Sequence, residues 1–171
     1  MSSHEISARS TLRDLIGGLT SWQNWVDTED LAVAKSRVSW PDHTEMSFPF
    51  IVLVFLGGAR VNGMGTDASA NFRPSGRIGV MVFDKVANNS DFMASDTAFG
   101  TKFFGLLDDL VEHAHDTSLI IRQISYDDNP YTMSAFNSSA AKDANSDDDD
   151  DEATVEERFW TGVFTIETGG Y

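Results

Sequence analysis

The stretch that decides the fold is Phe48–Ala59, FPFIVLVFLGGA. From Phe50 to Leu56 it is β-branched and aromatic at odd and even positions alike, so as an extended segment it carries apolar side chains on both faces. That is the pattern of a central strand covered on both sides. With Pro49, Gly57 and Gly58 breaking it, the run is too short for a membrane span, which needs about 20 apolar residues. A buried strand over Phe50–Leu56 is expected, with GGARVNG continuing or bulging its end.

Downstream, NGMGTDASANFRP (62–74) is loop chemistry, and Pro74-Ser75-Gly76 is a turn opening a second strand, Gly79–Val86 (GVMVFDKV). A hairpin pairing it with Phe50–Leu56 is the economical arrangement. Ser95 or Asp96 is placed to cap a helix in which Phe99, Phe103, Leu106, Leu107, Leu110 and Val111 recur at spacings of three and four. Leu119–Ser125 reads as a strand, YDDNP as a turn, and Arg158–Thr168 (RFWTGVFTIET) as a last strand with period-two alternation.

Upstream, Leu12, Leu15, Ile16, Leu19 and Trp22 share one face of a helix beginning near Ser10. Gly17 and Gly18 weaken it by roughly 1 kcal/mol each, unless something packs closely on the backbone there. LAVAKSRVSWP reads equally as a short helix or an edge strand ended by Pro41.

The order helix, strand, strand, helix, strand, strand predicts an α+β fold. Its sheet is antiparallel or mixed, of about four to five strands, with two main helices packed on one face. The chain of 171 residues, 41% apolar, fits a single domain over residues 1–171. Phe136–Glu157 is small and acidic in composition, which places an exposed, mobile acidic loop over residues 137–157, before the last strand.

The net charge of −15 disfavours binding to nucleic acid or to an anionic membrane, both of which require clustered Lys and Arg. The excess is uneven. Residues 1–142 hold 17 acids against 11 bases, whereas residues 143–158 hold 9 acids against 1 base. Cysteine is absent, which removes disulfides, thiolate nucleophiles and cysteine-built zinc sites. The stretch MSSHEISARS has no basic-then-apolar pattern, so a secretory signal is not expected.

The run Asp147–Asp151 followed by Glu152 invites calcium. An EF-hand register from Asp143 puts Asp148 where the turn needs Gly and Thr154 where a bidentate Glu belongs; a register from Asn145 supplies Glu156 but leaves Asp150 at the glycine position. No metal site is expected there, and a self-repelling solvated loop is the preferred reading. His113, His115 and Asp116 resemble a zinc cluster only superficially, because i and i+2 point about 200° apart on a helix; a histidine at a helix C-terminus instead favours the macrodipole. The loop Gly63–Asp67 lacks the third glycine of a phosphate-binding turn. Asp108-Asp109 reads as a solvated helix face, no Gly-x-Ser-x-Gly elbow occurs, and the histidines at 4, 43, 113 and 115 have no acid and nucleophile around them. The sequence points to no enzyme and to no cofactor.

The layout as a whole carries more information than any single motif. The helix TLRDLIGGLTSW, the strand FPFIVLVFL with its Gly-rich turn, the strand GRIGVMVFDKV, the helix DTAFGTKFFGLLDDLVEHA, the strand LIIRQISYDD and the final FWTGVFTIET together resemble the tail terminator proteins of long-tailed bacteriophages and related archaeal viruses. The resemblance covers nearly the whole chain except residues 137–157. It implies a virion structural protein, made in the host cytoplasm, that forms a homo-hexameric ring on the end of the tail tube. Such a ring halts tube polymerisation and joins the tube to the neck or head–tail connector protein. DNA passes its lumen without specific binding, and no membrane is involved. On this reading Asp147, Asp148, Asp149, Asp150, Asp151 and Glu152 are the candidate partner or lumen contact, lining the lumen or lying on the outer wall. This excursion is longer than the family's.

Few lysines and many aspartates also fit a virus of a salt-loving host, since carboxylates stay hydrated and repulsion is screened within about 3 Å at 1 M salt. A small enzyme or ligand-binding domain, whose mark would be a deep pocket with convergent polar groups, stays open as another class, and two further alternatives share parts of this pattern. One is another neck or tail-completion subunit. The other is an acidic DNA mimic, which would spread carboxylates over a face rather than concentrate them in one loop.

Overall fold

The computed structural model describes residues 3–39, 47–61, 73–86, 91–139 and 154–169. It is an α+β fold of two layers, a six-stranded mixed sheet and a group of helices against one face. The elements run α1 (Ser3–Gly18), α2 (Thr20–Val26), α3 (Leu31–Ser36), β1 (Val38–Ser39), β2 (Phe50–Val61), β3 (Arg73–Lys85), α4 (Phe92–Glu112), β4 (Ile120–Ser125), β5 (Tyr131–Ser139) and β6 (Thr154–Gly169).

Strands lie in the order β1-β2-β3-β6-β4, and β5 also pairs with β6. β1 is parallel to β2, and every other pair is antiparallel. β6 organises the sheet. One side of it pairs with β3, while the other side takes β4 along Thr165–Gly169 and β5 along Thr154–Gly162. β4 and β5 therefore lie end to end as an interrupted edge, with Tyr126–Pro130 stepping between them.

The expected β2–β3 hairpin forms, but Pro74, Ser75 and Gly76 are not a turn. They sit in β3 opposite Arg60, Ala59 and Gly58. The two strands are longer than their apolar cores because a bulge between Phe55 and Gly57, with Gly57 at φ 127°, lets the ladder continue past the glycines.

The N-terminal helix starts at Ser3 rather than near Ser10, and it breaks where the apolar stripe continues. Leu19 is extended (φ −68°, ψ 135°) and begins α2, so two helices share the stripe read as one. Leu12, Ile16, Leu19 and Trp22 are nonetheless all buried. Gly17 lies directly against the backbone and side chain of Lys35 in α3, the close packing that offsets its poor helix propensity; Gly18 has no such neighbour. The ambiguous LAVAKS segment is helical, its first turn capped by the Asp30 carboxylate, which accepts from the Ala32 N–H at 2.8 Å.

α4 begins at Phe92, earlier than expected, because Asp91 is the cap, accepting from the Ala94 N–H at 3.0 Å. Ser95 is buried inside the helix, where its hydroxyl accepts from the Trp160 indole N–H at 2.9 Å. Phe99, Phe103, Leu106, Leu107 and Leu110 enter the core as expected, whereas Val111, 58% exposed, does not. Trp25 of α2 packs edge-on to Phe99 of α4 at 5.4 Å, and Phe103 of α4 meets Phe164 of β6 at 6.0 Å, which ties α2 to α4 and α4 to the sheet. No described helix is long and apolar enough to cross a membrane.

β5 was not expected. Its sequence, YTMSAFNSS, is small and polar, and it is held as a strand by its pairing with β6 from Tyr131↔Gly162 to Ser139↔Thr154. Residues 137–139 and 154–157, expected in the exposed loop, are therefore in the ladder.

Candidate interaction face

Strand alternation divides the sheet into two faces. Ile51, Leu53, Ile78, Val80, Val82, Trp160, Phe164 and Ile166 turn toward the helices and are buried. The residues between them form cross-strand rows on the opposite face: Phe50–Phe83–Thr161, Val52–Met81–Val163 and Val54–Gly79–Thr165. The expectation that β2 is covered on both sides does not hold here, since no described helix or strand packs over this second face. An apolar pattern of period two records that a face is to be buried, and is silent on whether the cover is the same chain.

Aromatic rings gather at one end of this open face. Phe50 stacks on Phe83 with centroids 4.8 Å apart, Phe48 lies 5.3 Å from Phe50, and Phe159 lies 6.2 Å from both Phe48 and Phe83. All four rings are only half-buried. Val163 is 43% exposed and Leu56 55% exposed, the latter folded over Gly79. Aromatics and Met enriched, charge depleted, is the composition of an interface core, which makes this face the candidate interaction surface.

Charged groups of this face sit at its margins. Arg77 and Glu167 pair at 3.3 Å toward one end, both well exposed, so their bond contributes less than about 1 kcal/mol. Lys85 stands exposed at the other end. Asp84, the next residue along β3, turns to the helical side, where it accepts from the Trp25 indole N–H at 2.7 Å and lies 3.6 Å from the Lys102 ammonium.

A second polar group closes the end of α4. Asp109 accepts the Ser21 N–H at 2.9 Å, so its carboxylate satisfies an orphan donor at the start of α2. His113 Nδ1 lies 3.0 Å from the same carboxylate and 2.9 Å from the Asp109 carbonyl. Burial works to raise the Asp109 pKa, but the Ser21 N–H and the nearby His113 outweigh it and hold the carboxyl below the ordinary 3.8. The hydrogen bond to the Asp109 carbonyl and the surrounding Asp109, Asp116 and Glu112 charges raise His113 above the ordinary 6.5. Asp108 is exposed, as a solvated face requires, whereas Asp109 is a structural cap that sequence spacing could not distinguish from it. Ligand atoms of Asp109, Glu112 and His113 lie within 4.8 Å of one another, and His115 is not among them.

The acidic residues Asp147, Asp148, Asp149, Asp150, Asp151 and Glu152 lie outside the described residues, in the chain between the paired ends Ser139 and Thr154. The Gly63–Asp67 loop lies outside them too. The openness of this face is not legible in β2, whose pattern predicts cover on both sides. The signal available was an excess: β2, β3 and β6 carry more apolar side chains than one layer of helices can cover.

No protein-family model matches this chain, and no curated protein is similar enough in sequence to count as a relative.

Proposed function

We propose that this chain is a virion structural protein, a tail terminator whose copies form a hexameric ring that caps the tail tube and joins it to the neck. The observation that carries the reading is the open, aromatic-rich, charge-poor face of the sheet on a protein whose net charge is −15. Apolar surface at that position is costly in an isolated subunit and stabilising in an assembly, and like-charged copies associate most easily through their uncharged surfaces. The elements quoted for the resemblance keep their order in the fold, with the first helix split into α1 and α2 and with α3, β1 and β5 added. Function then resides in contacts between copies and with the tube, and the acidic excess keeps passing DNA from adhering to the ring.

Another neck or tail-completion subunit would use the same face, so the test must separate the two. Purified chain is mixed with tail tube protein as it polymerises, and tube lengths are measured by electron microscopy. A terminator shortens the tubes in proportion to its concentration and appears at one end. Tubes of unchanged length, with the chain bound only to connector rings, would assign it to the neck.

A further inference from the structure

Among the described residues, one set of metal-ligating side chains comes together, and it is not the His113 and His115 pair to which the sequence draws attention. Ligand atoms of Asp109, Glu112 and His113 lie within 4.8 Å of one another where α4 ends. Their spacing is i, i+3 and i+4, which gathers three side chains on one side of a helical turn. The set holds an imidazole beside two carboxylates. Nitrogen and oxygen donors together suit a first-row transition metal, whereas Ca2+ and Mg2+ prefer oxygen alone. Two carboxylates and a neutral imidazole also balance the charge of a divalent ion.

Two of the donors are already spaced for one ion. His113 Nδ1 lies 3.0 Å from Asp109 Oδ1. Donors bound at about 2.0–2.2 Å to a tetrahedral or octahedral centre stand roughly 3–3.5 Å apart. Glu112 is exposed, so its carboxylate is free to swing in. Asp109 is held in place: its other oxygen, Oδ2, accepts the Ser21 N–H at 2.9 Å, the kind of outer hydrogen bond that orients a ligating carboxylate. The Ser21 Oγ atom at this joint is buried with no hydrogen-bond partner. Such orphans are rare, and a water or an ion commonly accounts for them. The negative end of the α4 macrodipole falls at the same place and favours a cation. His113 also lines a cleft of about 380 Å³ with Asp14, Asp116 and Thr117, which gives an arriving cation an acidic approach from solvent.

We propose that Asp109, Glu112 and His113 bind one divalent transition-metal ion, of which zinc fits the donors best, at the joint between α4 and α2. The ion takes the place of a proton on His113 Nδ1, and water completes its coordination. Without the ion, the same groups make the hydrogen-bonded contact described above. Because Asp109 reaches α2 through Ser21, the ion pins both helices, and binding to the folded chain stabilises it. Occupancy of this site does not depend on the ring reading.

The test uses the full chain stripped of metal and titrated with Zn2+ alone, by calorimetry and by thermal melting. One equivalent is expected to bind, raising the melting temperature by about 5–10 °C at a hundredfold excess over Kd. Glu112→Gln, an exposed change outside the hydrogen-bonded contact, is expected to fold as wild type and to weaken binding by about tenfold or more. His113→Ala is expected to weaken it at least as much. His115→Ala and deletion of Asp147–Asp151 should leave the affinity unchanged, which separates the site from stray histidine binding and from the acidic run. Absence of stoichiometric binding overturns the proposal, as does binding that survives both Glu112→Gln and His113→Ala or that is lost with Asp147–Asp151. An equal rise in melting temperature with Mg2+ would mean general screening of a −15 chain, and would overturn it too.

Discussion

The two faces of one sheet are built from alternate residues of the same strands, yet they serve different ends. On the helical face Leu53, Ile78, Phe164 and Ile166 are fully buried and their apolar area stabilises the subunit. On the open face Phe50, Phe83, Phe159 and Met81 are only part-buried, and some of the same kind of area stays in water. Side-chain chemistry alone does not separate the faces. What separates them is the presence of α1, α2 and α4 over one and of no described helix over the other, so the strands of this chain carry information about two burial events, folding and association.

The sharpest contrast is between two phenylalanines. Phe103→Ala removes a ring packed on Tyr131, Phe164 and the backbone of Gly162, and is expected to cost about 3–5 kcal/mol in urea unfolding. Phe83→Ala on the open face is expected to cost the isolated subunit about 1 kcal/mol, half of the roughly 2 kcal/mol of full burial, while weakening assembly. Equal losses in the monomer would mean that the second face is covered within one chain.

Two glycines give the next contrast. A Cβ at Gly162 runs into the Phe103 ring, which is locked in the core, so Gly162→Ala is expected to cost about 1–3 kcal/mol. A Cβ at Gly79 meets only Leu56, 3.2 Å away at an exposed side chain that is able to swing aside, and Gly79→Ala is expected to leave the melting temperature nearly unchanged.

The smallest effect belongs to the staple between α4 and α2 at the edge of the covered face. Asp109 has a lowered pKa, so its contribution is present above the ordinary carboxyl pKa near 3.8 and is lost as pH falls through the lower folded value. His113 has a raised pKa, so its contribution is complete below 6.5 and is lost as pH rises through the higher folded value. Wild type should exceed His113→Gln in melting temperature below pH 6.5, with the gap closing as pH rises above 6.5 through the higher folded value. Asp109→Ala should cost about 1 kcal/mol near neutral pH, the magnitude of a lost N-cap. A gap that widened toward alkaline pH would contradict the assignment.

Long, strongly periodic elements were legible in the sequence. The five large apolar residues that α4 buries and the strands β2, β3 and β6 follow from spacing and from β-branched or aromatic content. β5 was not legible, because YTMSAFNSS gains its structure from β6, a partner distant in sequence. Helix starts were misplaced where a nearer cap prevailed, as with Asp91 over Ser95. The break at Leu19 was hidden because α1 and α2 keep one apolar stripe across it. The open face was legible as apolar but not as open, since coverage is a property of the assembled layers and not of any strand.

The central claim, that the apolar area left open by folding is buried between copies, is tested most directly by the mass of the purified chain in solution. Light scattering at low and at molar salt is the measurement. At molar salt, where repulsion within a −15 chain is screened, the expected result is a ring near six times 18.8 kDa. A strict 18.8 kDa monomer at both salts would contradict it.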